Sequence, residues 1–217
     1  MTNSEIYSHV DHTLLKPFAT WEDIVKLCDE AVKYKTASVC VPPCYIKRIK
    51  DKYGDSLNVC TVIGFPLGYS DTEAKVCEAK RAVEDGASDI DTVINISDAK
   101  NGDFDKILEE LKAIRSACSD RILKVIIETC YLTEEEKVKL CDVVTLSGAD
   151  YIKTSTGFGT GGATFEDVKL FADNVGAGVK IKAAGGIRTR EDCEKFLALG
   201  ADRLGTSSAI SILEGNK

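Results

Sequence analysis

Short apolar runs alternate along this chain with longer amphipathic stretches. The runs cover 38–41, 58–65, 89–95, 121–129, 151–155, 179–184 and 203–206, with a weaker eighth at 10–15. Several are nearly continuous in apolar character, as strands covered by helices on the outside should be. Between them, Ile24, Leu27, Cys28, Ala31 and Val32 fall at i, i+3, i+4, i+7 and i+8, one stripe of a helix. Val168, Phe171, Ala172 and Val175 repeat the pattern, and Ile107, Leu111, Ile114 and Cys118 follow it more loosely. Thr133 before a Glu-rich turn and Thr189 before Arg-Glu-Asp read as helix caps. Gly86 and Gly200 mark helix ends, each followed by a new strand.

Eight strands alternating with helices, with no composition break or long linker, predict a single (β/α)8 TIM barrel over residues 1–217. A doubly wound open sheet is the rival, and strand counting favours the barrel. The fold locates the chemistry, because such barrels carry their sites at the C-terminal ends of the strands.

Among the charged residues inside runs that should be apolar, three stand out: Asp91, Lys153 and Lys182. Burying an unpaired charge is costly. A single strand lysine can snorkel to the rim; two lysines on successive strands plus a carboxylate point to chemistry. Lys180 shares the parity of Lys182, so alternation does not choose between them. Lys182 is nearer the C-terminal end, which leaves Lys180 to the lower barrel or rim. Asp89 is likewise the earlier, weaker partner of Asp91.

A free lysine amine, with a pKa near 10.4, is neutral in roughly one copy in 2,500 at pH 7. Only the neutral amine attacks a carbonyl. A neighbouring cation and partial desolvation both favour that form. Lys153 and Lys182 as strand neighbours would supply a nucleophile and the charge that tunes it, with Asp91 shuttling protons.

The loops add a ligand class. Gly185-Gly186-Ile187-Arg188 follows the seventh strand and Gly205-Thr206-Ser207-Ser208 the eighth, where this fold commonly binds phosphate through backbone N–H groups. The glycine-rich stretch 157–162 after the sixth strand is either a flap over the substrate or a flexible connection.

Composition narrows the function classes. A formal net charge of −7 argues against a nucleic-acid binder. No apolar run is long enough to span a bilayer, and the polar start carries no signal core. Nine cysteines with no C-x-x-C pair read as reduced thiols of a cytoplasmic protein. Cys40 and Cys44 flank Val-Pro-Pro after the second strand; Cys40 either faces the site or packs in the core. His9 and His12 have no companion ligands at metal-binding spacing, so no metal or other cofactor is expected. A homodimer is the base-rate assembly.

The motifs Tyr-Ile-Lys-Thr-Ser-Thr-Gly-Phe at 151–158, Lys-Ala-Ala-Gly-Gly-Ile-Arg-Thr at 182–189 and Val-Asp-His-Thr-Leu-Leu-Lys-Pro at 10–17 resemble the deoxyribose-phosphate aldolases. The similarity runs from about residue 11 to 208. It implies reversible cleavage of 2-deoxy-D-ribose 5-phosphate to D-glyceraldehyde 3-phosphate and acetaldehyde, with Lys153 as the Schiff-base lysine. It further implies Lys182 as its tuning partner, Asp91 as the proton relay, and Gly157, Gly185, Gly186, Gly205, Ser207 and Ser208 as the phosphate cradle. Asp11, Thr13, Cys40 and Thr156 match positions lining the family's pocket. Some members carry a C-terminal tyrosine that reaches the site; this sequence ends Leu-Glu-Gly-Asn-Lys. The competing readings are a Schiff-base aldolase for another phosphorylated sugar, a sugar-phosphate-binding barrel without turnover, and a redox or metal protein.

Overall fold

The computed structural model describes residues 1–215; Asn216 and Lys217, where the sequence reading looked for a terminal tyrosine, lie outside it. Eight parallel strands close into a barrel in sequence order. They are β1 (Val10–Thr13), β2 (Ser38–Val41), β3 (Val59–Ile63), β4 (Asp89–Val93), β5 (Ile122–Ile126), β6 (Tyr151–Lys153), β7 (Lys180–Ala184) and β8 (Ala201–Thr206). The helices are α1 (Asn3–Tyr7), α2 (Trp21–Tyr34), α3 (Ile46–Tyr53), α4 (Thr72–Glu84), α5 (Ile96–Asn101), α6 (Phe104–Ala117), α7 (Glu134–Leu146), α8 (Phe165–Asn174), α9 (Arg190–Ala198) and α10 (Ala209–Glu214). The closed barrel with its alternating helices is the architecture expected, and the open-sheet rival falls.

The cap readings hold at atomic detail. Thr133 accepts the N–H of Glu136 while Glu136 accepts that of Thr133, and Thr189 with Asp192 forms the same reciprocal box. The helical stripes are buried at Ile24, Leu27, Cys28, Ala31, Val168, Phe171, Ile107, Leu111, Ile114 and Cys118. Val32 and Ala172, at the stripes' edges, are exposed.

Strand alternation divides the barrel into two chemistries. Val39, Val41, Val59, Ile90, Leu123, Val125, Ile152, Ile181, Ala183 and Leu204 belong to the large apolar core shared with the helices. The alternate positions converge inside the barrel and are largely polar or small: Asp11, Ser38, Cys40, Cys60, Asp89, Asp91, Lys124, Lys153 and Lys182, all buried. A barrel interior more commonly holds layers of branched apolar residues. Here it is ionic, and that difference carries the chemistry.

Several strands are shorter than the apolar runs that signal them. Backbone pairing still continues past the regular strands: Ile94 N–H to Ile126 O at 3.1 Å, Ile127 N–H to Lys153 O at 3.1 Å and Thr154 N–H to Lys182 O at 3.1 Å. That pairing carries the polar strand ends rigidly into the mouth.

Candidate active site

In the register of β6 against β7, Lys153 sits opposite Lys182. Both ammonium groups reach one oxygen of Asp91: Lys153 Nζ lies 2.8 Å from Oδ2 and Lys182 Nζ 2.7 Å from the same atom. The three residues singled out in the sequence therefore meet at a single carboxylate. Lys182 is bound a second time, by Asp11 Oδ2 at 2.5 Å.

A fourth charged strand residue joins them. Lys124, at the centre of β5, is fully buried and contacts Asp89 at 2.7 Å, Asp91 Oδ1 at 3.0 Å and Asp11 at 3.7 Å. It was not among the residues singled out from the sequence, although a lysine in Ile-Leu-Lys-Val-Ile carries the same signal as the other three. Arg203 of β8 closes the network from below, on Asp11 at 2.7 Å and Asp89 at 3.6 Å. Lys180 lies at the exposed lower rim, 3.4 Å from Asp202, as its position in the strand indicated.

The electrostatics follow from burial and these contacts. Burial alone would raise the Asp91 carboxyl, but Lys124, Lys153 and Lys182 outweigh it and hold the group well below the usual carboxylate range. Burial would lower Lys182, but Asp11 and Asp91 outweigh it and keep this lysine a firm cation. Lys124 is raised likewise, burial being overcome by Asp91, Cys60, Asp11 and Asp89. Asp11 is held low because Lys182, Lys124 and Arg203 overcome its burial. The cluster holds four cations against three carboxylates. Of the four cations Lys153 has the fewest carboxylate contacts.

Lys153 is also the member of the cluster that opens outward. Above it lies a cavity of about 430 Å³, the size of a small-ligand site. Thr13, Thr156, Gly157, Gly185, Gly186, Gly205, Ser207 and Ser208 all line it, together with Lys153. Two further cations, Lys16 and Arg188, stand on its rim and were not singled out from the sequence. Gly185 and Gly186 take successive left-handed conformations, φ 82° and 78°, which glycine adopts without steric cost. The stretch 157–162 is anchored at its far end, where Ala163 N–H bonds Ala184 O and Gly185 O, each at 3.0 Å.

Two expected pocket residues lie elsewhere. Asp11 is enclosed beneath the cavity on Lys182 and Arg203. Cys40 is buried in a small apolar cluster with Cys60 and Val62, against which Leu15 and Phe65 pack. Both side chains are buried and point inward, and neither is among the residues that line the cavity. His12, on the outward face of β1, bonds Glu30 of α2 at 2.9 Å.

Cys40, Cys60 and Asp91, and Asp11, Cys60 and Asp89, present metal-type donor atoms within 4.8 Å of one another. The Lys124 ammonium already sits among them, 3.4 Å from Cys60 Sγ and in contact with all three carboxylates.

A closed parallel barrel whose mouth joins a buried amine to glycine- and serine-lined loops defines an aldolase-type enzyme. The chain belongs to the DeoC/LacD family of aldolases, whose profile matches residues 6–209. It is 62% identical, over all of this chain and 98% of the relative, to a deoxyribose-phosphate aldolase of Clostridium botulinum strain Alaska E43. It is 59% identical to the deoxyribose-phosphate aldolase of Clostridioides difficile strain 630, over 96% of this chain and 95% of the relative. Among solved structures, the tetrameric deoxyribose phosphate aldolase from Aeropyrum pernix superposes with a TM-score of 0.92 at 34% identity, covering 99% of this chain and 92% of that one.

Proposed function

We propose that the protein is a deoxyribose-phosphate aldolase, a lyase that reversibly cleaves 2-deoxy-D-ribose 5-phosphate to D-glyceraldehyde 3-phosphate and acetaldehyde through a Schiff base on Lys153. The observation that carries the reading is the position of Lys153. It is the one buried amine on the cavity wall, backed by an ionic cluster with one cation in excess.

The carboxylate contacts set Lys153 apart from the other cations of the cluster. Lys182, Lys124 and Arg203 each hold two or more carboxylates, whereas Lys153 holds one. The Lys153 amine, which faces the cavity, attacks the aldehyde carbon of the open-chain sugar. Loss of water gives an iminium. The proton then leaves the C3 hydroxyl, the C2–C3 bond breaks, and its electron pair passes into the iminium to form an enamine. Glyceraldehyde 3-phosphate departs; protonation at C2 and hydrolysis release acetaldehyde and restore the amine. Asp91 and Lys182 are the groups beside Lys153 that can pass protons to and from it. The phosphate falls to Gly157, Gly185, Gly186, Gly205, Ser207 and Ser208, with Thr13 and Thr156 beside them. Asp11 supports Lys182 from below.

Borohydride reduction in the presence of acetaldehyde, followed by peptide mapping, tests the assignment. The expected product is an ethyl group on Lys153, lost in Lys153→Ala. An adduct that maps to another lysine, or none in the wild type, defeats it.

We propose further a cytoplasmic protein that assembles as a homodimer. Among the described residues no helix is long and apolar enough to cross a membrane, and the nine cysteines are unpaired. The relative from A. pernix is described as tetrameric, so light scattering after gel filtration decides the copy number.

A further inference from the structure

Beyond the residues lining the cavity, one side chain beneath it stands out. Glu128 follows β5 and is 2% exposed. Its backbone is left-handed, with φ 55° and ψ 66°. Among the described residues the one other non-glycine with positive φ is Lys35, at the C-terminus of α2, where that conformation is common. Glu128 has no such excuse, and a strained residue of this kind persists only where its surroundings hold it.

What holds it is the loop after Lys153. The Glu128 carboxylate accepts the Thr156 N–H at 3.2 and 3.3 Å and also the Thr156 hydroxyl, in a short contact. The same hydroxyl oxygen accepts the Phe158 N–H at 3.0 Å. Gly159 packs so closely that a Cβ there would lie 3.1 Å from the Glu128 carboxyl carbon. Among the described residues no cation lies within 4 Å of the carboxylate. It therefore works through the loop, and Thr156, Gly157 and Phe158 of that loop line the cavity.

We propose that Glu128 is the positioning residue of the phosphate site: it fixes the loop 156–159 so that Gly157 faces the substrate's phosphate. The inference rests on the phosphate reading of the cavity and deepens it. It also makes a prediction opposite in sign to simple electrostatics. A carboxylate near an anion site repels the anion, so by charge alone its removal strengthens phosphate binding. A positioning role requires that removal weaken it.

The test compares kcat/KM for 2-deoxyribose 5-phosphate and for unphosphorylated 2-deoxyribose in the wild type, Glu128→Gln and Glu128→Gly. Calorimetric titration with inorganic phosphate accompanies it. A hydrogen bond to a charged group lost from the cradle corresponds to roughly tenfold to hundredfold in binding. The ratio of the two kcat/KM values is expected to fall about tenfold or more in both variants, with inorganic phosphate bound more weakly. Equal losses on both substrates, which a general structural role produces, overturn the proposal, as does tighter phosphate binding. Glycine suits the left-handed backbone, so Glu128→Gly decides the matter if the glutamine variant does not fold. A wild type that binds phosphate but neither cleaves the sugar nor traps acetaldehyde defeats the aldolase reading; the phosphate titrations still judge Glu128.

Discussion

Replacing Asp91 with asparagine keeps the shape of the side chain and removes the charge on which three lysines converge. Their ammonium groups lie 2.7, 2.8 and 3.0 Å from its oxygens, and Cys60 Sγ lies 3.2 Å away. The cluster would pass from four cations against three carboxylates to four against two. Removing one partner from a buried ion pair typically costs about 3–5 kcal/mol. For a chain of this size that corresponds to a loss of roughly 6–20 °C in Tm. The Asp91 carboxyl is depressed in the folded protein, so its stabilisation is fully present above the unfolded value near 3.9 and is lost as pH falls below it. The gap between wild type and Asp91→Asn should be level from pH 5 to neutrality and shrink by about 1 kcal/mol at pH 3. Urea melts at pH 3, 5 and 7 measure it. The same variant should form the borohydride-trapped adduct at least about a hundredfold more slowly, through loss of the proton carrier. An asparagine variant that melts within about 2 °C of wild type at pH 7 refutes the reasoning from charge balance, whatever happens to activity.

Gly205→Ala would place a methyl group 2.9 Å from Ala184 Cβ and 3.2 Å from Lys182 Cε; it should cost about 1–3 kcal/mol in urea melts and lower kcat by displacing Lys182. Gly162→Ala would set a Cβ 2.5 Å from the carbonyl carbon and oxygen of Gly185, backbone that cannot give way cheaply. Steady-state kinetics should show KM for the phosphorylated sugar rising about tenfold or more as the two loops part. Thr133→Ala, which removes a capping box far from the chemistry, should cost about 1 kcal/mol in Tm-derived stability and leave kcat unaltered.

The weakest strand signal and the strongest functional signal have one origin. The weaker run at 10–15 contains Asp11, at an inward position that most barrels give to a branched apolar residue. In the folded chain that aspartate binds Lys182 and Arg203, so the blemish in the pattern was part of the ionic interior. Asp91, Lys153 and Lys182 were legible for the same reason, and Lys124 was equally legible but was overlooked. Asp11 and Cys40 were expected at the pocket only through the family resemblance, and both side chains turn inward. A match to pocket positions does not say whether a side chain reaches the cavity or packs behind its wall, and these two pack behind it. Glu128 was illegible, because a glutamate at a strand end looks like an ordinary turn residue until its backbone conformation and its hold on Thr156 are known. Least visible of all was the charge count, which sums side chains from β1, β4, β5, β6, β7 and β8. That sum explains why the barrel forgoes an apolar interior. Hydrophobic layers would have been the more stable filling, since a buried ionic cluster seldom outweighs the desolvation of its members. What the ionic filling supplies instead is a set of buried charges that converge on Asp91 directly beneath the one lysine that faces the cavity.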